Sequence, residues 1–260
     1  VKSQLNNEKY PEASGFLNDI GAHMARTIMF KELALLFNAT TKINTIDEIR
    51  NMVYDENILH KKSISGRKKS FSNLKKLYGL DSTIPLYNTF RWAWDISEQQ
   101  ERPLLALLCA LSRDSSLRIT APYILSLMPG KIADKEKISA LIEQNYPNRY
   151  SPALIASLTR NLLSSWAQSG HLRGIAKKIR IKADGNTPAC VFALATGYLA
   201  GYRGRLLLDT IWMRSLDATD YEIQECLSRA MKKGWIRYRE SGGMMDINFS
   251  DEIFKKGGEA

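Results

Sequence analysis

Apolar side chains recur at helical spacing along most of the chain. Phe16, Ile20, Met24, Ile28 and Leu35 line one face over residues 14–38, which predicts a helix there. Thr45-Ile46-Asp47-Glu48 joins a capping residue to first-turn acids and opens another. Helices are expected at about 68–79 and 84–96, with Pro85 suited to a first turn. Pro103 begins the run Leu104 to Leu111, and Ser115 begins a segment that Pro129-Gly130 stops after Met128. A short helix follows Asp134 to about Gln144. Asn145-Tyr146-Pro147-Asn148 reads as a turn, and Ser151-Pro152 caps a helix that ends at Ser169-Gly170.

Beyond Gly170 the period changes from helix to strand, and it does so twice. Leu163-Ser164, five residues, Gly170 and His171-Leu172-Arg173 are echoed by Leu227-Ser228, five residues, Gly234 and Trp235-Ile236-Arg237. A helix stopped by glycine and followed at once by a strand is the sequence order of a winged helix-turn-helix. In the second copy, Gly242-Gly243 suits a two-residue hairpin turn. Counting outward from it pairs Arg239 with Asp246, Tyr238 with Ile247, Arg237 with Asn248 and Ile236 with Phe249. One face is then apolar, and the other is polar with an opposite-charge pair. In the first copy the strand is expected over 175–183, turning at Asp184-Gly185-Asn186. No returning strand is legible there, because Thr187-Pro188 reads as a helix start.

The expected fold class is therefore mainly α. A helical N-terminal region with a basic loop (1–100) leads into a helical, winged-helix-like module (101–187) and a C-terminal one (188–260), closed by a β-hairpin wing. At 260 residues and 44% apolar composition the chain can bury a substantial core. Its apolar runs fall short of the roughly 20 residues that span a bilayer. The N-terminus has no apolar signal region, so a cytoplasmic protein with no membrane partner is expected. Cys109, Cys190 and Cys226 sit singly in apolar helical patterns and read as buried thiols.

Charge sharpens the picture. Between Glu143 and Asp184 there are 40 residues without a carboxylate, carrying Arg149, Arg160, Arg173, Lys177, Lys178, Arg180 and Lys182. Extended to Leu208 the stretch adds Arg203 and Arg205 against Asp184, nine basic residues to one acidic. A second acid-free run, Asn57 to Leu80, adds Lys61, Lys62, Arg67, Lys68, Lys69, Lys75 and Lys76. The whole chain is only +10, so the remainder is net acidic. Such segregation points to a polyanion, most often nucleic acid.

On the helix 152–169, Ile155, Leu158, Leu162 and Trp166 should face the core, leaving Ser157, Arg160, Asn161, Ser164 and Gln168 outward. Arg pairs with guanine, Asn and Gln with adenine, and Ser with base edges or phosphate. The later helix near 219–233 should bury Ile223, Leu227, Ala230 and Met231. It exposes Glu222 and Glu225 early, where they would meet phosphates, so the first copy is the expected DNA reader. The basic residues from Lys61 to Lys69 surround Gly66 in an expected loop suited to clamping phosphates. Gly66-Arg67-Lys68-Lys69-Ser70 lacks the upstream glycine of a nucleotide-binding P-loop. His23, His60 and His171 have no partner at catalytic or metal-ligand spacing, and Asp114, Asp209, Asp217 and Asp220 read as caps. No enzyme activity, cofactor, metal or small-molecule substrate is expected.

Several segments together resemble the BrxA family of bacterial BREX phage-defence systems. These are Phe30-Lys31-Glu32-Leu33, Glu56-Asn57-Ile58-Leu59, Leu107-Leu108 through Arg113-Asp114 and Leu117-Arg118, Ser169-Gly170-His171-Leu172, and Gly197-Tyr198-Leu199 through Gly201. The resemblance implies a small, non-catalytic, helical DNA-binding component acting beside a methyltransferase, an ATPase and a phosphatase-like protein. Duplex DNA and other defence-complex subunits are then the expected partners. A stand-alone transcriptional regulator, or an RNA-binding or protein-bridging role, are the alternatives.

Overall fold

The computed structural model describes residues 9–41, 44–242 and 244–255. The chain is mainly helical, with two small antiparallel hairpins in its second half. In order come α1 (Phe30–Ala39), α2 (Ile46–Tyr54), α3 (Ile64–Tyr78), α4 (Pro85–Asp95), α5 (Arg102–Arg113), α6 (Ser115–Ser126), α7 (Lys135–Asn145) and α8 (Pro152–Gln168). Strands β1 (Leu172–Arg173) and β2 (Ile179–Arg180) follow, then α9 (Thr187–Leu199), α10 (Ile211–Arg214), α11 (Asp220–Lys232), β3 (Ile236–Ser241) and β4 (Met244–Phe249). No helix among the described residues is long and apolar enough to cross a membrane.

Two helices form the axis of the core. Every α5 residue from Leu104 to Arg113 is buried, as is α9 from Thr187 to Gly197. A helix apolar on all sides must be covered on all sides, and here α4 packs on α5 and α9 while α3, α6 and α8 contact α5. One buried cluster consequently runs from Tyr10 to Ile253, and the segments 1–100, 101–187 and 188–260 all contribute to it. Cys109, Cys190 and Cys226 are buried free thiols within it.

Arginines turned inward are prominent around this core. Arg67 donates to Tyr54 O at 2.7 Å, Arg91 to Phe37 O and Thr40 O at 3.2 and 2.8 Å, Arg113 to Lys76 O at 2.7 Å, and Arg118 to Leu111 O at 2.7 Å. Each satisfies last-turn carbonyls of α2, α1, α3 or α5, where the helix dipole also favours a cation. These four guanidiniums serve helix ends and are withdrawn from any external anion.

The predicted helix over 14–38 forms only from Phe30 onward. Before it the chain makes two single 3-10 turns, Glu12–Ser14 and Ala22–Met24, joined by extended segments. The junction of α5 and α6 captures this backbone: Leu17 N donates to Ser112 O at 3.1 Å and Ser115 N donates to Asp19 O at 3.2 Å. Tertiary pairing has overridden a helical pattern. The expected loop at 61–69 is likewise half helix, because Ser63 caps Gly66 N at 3.1 Å and starts α3 at Ile64.

The C-terminal hairpin has the predicted register throughout, from Ile236 opposite Phe249 to Arg239 opposite Asp246. Gly242 takes φ 59°, while Gly243 lies outside the described residues. Ile236, Met245 and Ile247 are its buried face. Arg239 does face Asp246, yet that carboxylate bonds Asn248 Nδ2 at 2.7 Å instead. On α11, Cys226 is buried and Met231 is exposed, reversing the expectation for Met231.

The first hairpin differs from its expected placement. Its strands are 172–173 and 179–180, with the turn at 174–178, and residues 184–186 lead into α9 with Asn186 as cap. Burial of His171 and Leu172 holds the chain against the core directly after α8, so the strand begins earlier than its basic residues suggest. A third segment completes this small sheet. Ile132 bridges Ile179, Arg180 N donates to Lys131 O at 2.7 Å, and Ala133 N donates to Lys178 O at 2.8 Å.

Candidate nucleic-acid interface

Helix α8 begins where Ser151 Oγ accepts Leu154 N at 3.3 Å and Pro152 occupies the first turn. Leu158, Leu162, Leu163 and Trp166 anchor it in the core. The rest of its circumference splits into two unlike halves. Toward the C-terminal end it meets the segment 23–30: Asn161 Nδ2 donates to His23 O at 2.9 Å, and Gln168 Oε1 accepts Phe30 N at 3.4 Å. Gln168 also donates to Ser164 Oγ at 3.4 Å. Asn161, Ser164 and Gln168, expected to face a groove, are thus engaged within the molecule. Toward the N-terminal end, Pro152, Ala153, Ala156 and Arg160 are exposed and Ser157 is half-buried.

The same contact buries a polar relay. Asp114 Oδ2 lies 2.7 Å from His23 Nδ1, and His23 Nε2 lies 2.9 Å from Ser165 Oγ. The arrangement has the order of a hydrolytic triad, but all three residues are 0% exposed. Ser165 Oγ further donates to Asn161 O at 2.8 Å and accepts Ile28 N at 3.0 Å. With its hydroxyl saturated and walled in, the relay pins the N-terminal segment to α8 and to the α5–α6 junction. Among the described residues no group of His, Cys, Asp and Glu could hold a metal ion.

The basic residues separate just as sharply. Arg180 is buried and pairs with Asp217 at 2.7 Å, and Asp217 Oδ2 also accepts Ala183 N at 2.9 Å. This links the first hairpin to the chain between α10 and α11. His171 reinforces the link, its Nε2 2.9 Å from Ser215 O, and burial drives its pKa down to about 4. Lys182 pairs with Glu222 at 2.5 Å, and with Thr219 it holds that carboxyl down to about 2. Arg205 pairs with Glu240 at 3.1 Å, and Lys61 with Glu32 at 2.8 Å. Arg203 lies 3.6 Å from the Tyr198 ring centroid and donates to Tyr198 O and Tyr202 O. Lys178 Nζ donates to Gly174 O at 2.7 Å, and Lys68 sits 5.8 Å from the Tyr54 ring.

What remains free is a smaller set. Arg160 on α8 and Arg173 and Lys177 on the first hairpin are exposed, and their side chains make no hydrogen bond or ion pair among the described residues. The side chains of Lys62, just before α3, and of Lys69, Lys75 and Lys76 on it are in the same condition. Sequence reasoning missed Lys131 and Lys135, which are also exposed. Lys131 immediately precedes the bridge to β2 and so belongs to the same small sheet as Arg173. The Pro129-Gly130-Lys131 turn was the available signal. The second hairpin differs in character. A groove of about 750 Å³ on its polar side is lined by Arg237 and Arg239 but also by Asp246, Asp251 and Glu252.

No family model and no curated protein matches this chain. A solved structure of a protein named SspB is similar, with a TM-score of 0.55 and 11% identity over 94% of this chain and 87% of that one. At that identity the likeness concerns the fold.

Proposed function

We propose that this protein binds duplex DNA without catalysing a reaction, as an accessory component of a BREX-type phage-defence system. The observation that carries the reading is the set of partner-free cations, Arg160, Arg173 and Lys177, on a helix and the hairpin that directly follows it. Helix α6, the bridge at Ile132, α7, α8 and β1–β2 follow one another in the order of a winged helix-turn-helix. In that arrangement the N-terminal half of α8 enters the major groove and the hairpin follows the backbone. Arg160 is the one residue of the expected α8 face that is both open and able to read guanine. Arg173 and Lys177 supply phosphate contacts.

Elements α9, α10, α11 and β3–β4 repeat the order with different chemistry. Arg205 is neutralised by Glu240, and Glu222 and Glu225 stand in the first half of α11. This favours a supporting or protein-contacting role for the second module, beside the other subunits that the resemblance implies. The test is competition among duplex DNA, single strands and RNA, using the wild type and Arg173→Glu/Lys177→Glu. Duplex should compete best, and the double charge reversal should weaken binding to every duplex by about tenfold or more. RNA competing as well as duplex, or unchanged binding by the double variant, would overturn the reading.

A further inference from the structure

We propose that the tip of the β1–β2 hairpin is a wedge that enters the minor groove and parts a base step with the side chain of Ile175. The inference rests on the duplex-DNA reading above and adds what the hairpin does to the bound duplex. Ile175 is 97% exposed, an extreme value for a large apolar side chain. On either side of it Arg173 and Lys177 are exposed and free of partners. Of the carboxylates near this sheet, Asp217 is engaged by Arg180 and Ala183 N, Glu222 by Lys182, and Asp134 accepts Glu136 N as the cap of α7. A tip that is apolar at its point and cationic at its shoulders matches a duplex, whose phosphates flank a groove floored by stackable bases.

The tip is also built to hold its shape. Gly174 has φ 102°, and a Cβ there would lie 2.2 Å from Lys177 O, so only glycine permits the turn. Lys178 Nζ ties back to Gly174 O at 2.7 Å, and β2 is fastened on its far side to the segment at Ile132. A side chain presented on a fixed turn can be driven between bases, whereas a mobile one would fold back onto the protein. The second hairpin provides a contrast within the same molecule. Met244 at its tip is 79% exposed, but Asp246 stands on its own strand, and Asp251 and Glu252 line the groove on this hairpin's polar side, where they would repel phosphates.

The experiment uses the full chain and short duplexes carrying 2-aminopurine within a TA or CA step, the steps most easily unstacked. At saturating protein the wild type should raise 2-aminopurine fluorescence several-fold. Ile175→Ser, taken to saturation, should not, while Ile175→Leu and Met244→Ser should behave as wild type. Saturated binding with no rise, or a rise undiminished in Ile175→Ser, would overturn the wedge alone. Absence of duplex binding would overturn it together with the reading it rests on. Binding of the hairpin to anionic vesicles with loss in Ile175→Ser, and none to duplex, would assign the tip to a membrane surface instead.

Discussion

Asp217→Asn isolates the contact that joins the two hairpin-bearing halves of the chain. Asp217 has φ 58°, a left-handed conformation that asparagine also tolerates, so the substitution leaves the backbone unstrained. It removes the negative charge facing Arg180, whose side chain is 3% exposed. The carboxylate receives two donors, Arg180 Nη2 at 2.7 Å and Ala183 N at 2.9 Å, whereas the amide offers one acceptor oxygen. Arg180 Nε is already buried without a partner, so the guanidinium has nothing else to turn to but the carbonyls of His171 and Ile181. Removing one member of a buried pair costs about 3–5 kcal/mol, and the retained acceptor places this case near the lower end. A loss of about 3 kcal/mol corresponds to a fall in Tm of roughly 6–12 °C for a chain of this size. Urea unfolding followed by circular dichroism measures it. Arg180→Met combined with Asp217→Asn should recover part of the loss, because no charge is then left unpaired. A loss under about 1 kcal/mol for Asp217→Asn would refute the reasoning.

Burial of His171 predicts a pH dependence of stability. Its folded pKa of about 4 lies below the 6.5 of an exposed histidine, so between those values the unfolded chain binds the extra proton. Stability should be full above pH 6.5 and decline as pH falls toward 4, by up to about 3 kcal/mol from this group, and His171→Gln should flatten the unfolding midpoint between pH 7 and 5 by that share. Gly242→Val, a β-branched residue at φ 59°, should lower stability by about 1–3 kcal/mol in the same unfolding assay.

Local signals were legible where local chemistry decides the structure. The Thr45–Glu48 capping box, the Pro85 and Pro152 helix starts and the register of β3–β4 each depend on residues close in sequence, and each is present. Two kinds of information were not local. The segment 14–29 has a helical pattern but is captured by carbonyls and amides at the α5–α6 junction, about a hundred residues away. The pairing of charges was likewise not local. An acid-free run is positive along the chain, yet Glu32, Asp217, Glu222 and Glu240 come from elsewhere to neutralise Lys61, Arg180, Lys182 and Arg205. Nor can composition distinguish an arginine that caps a helix from one that meets solvent. For the helix 152–169, periodicity identified the core side, but the partner of the opposite side, residues 23–30, came from a segment read as helix.

The salt dependence of duplex binding tests the central claim most directly. If the exposed Lys62, Lys69, Lys131, Lys135, Arg173 and Lys177 meet phosphates, six contacts give a log–log slope of binding constant against salt near −5. Lys131, Arg173 and Lys177 changed together to alanine should flatten it by about 3, whereas Lys182→Ala/Arg205→Ala should leave it unchanged because Glu222 and Glu240 already hold those cations. A wild-type slope near zero, or one that the triple variant leaves intact, would contradict the account.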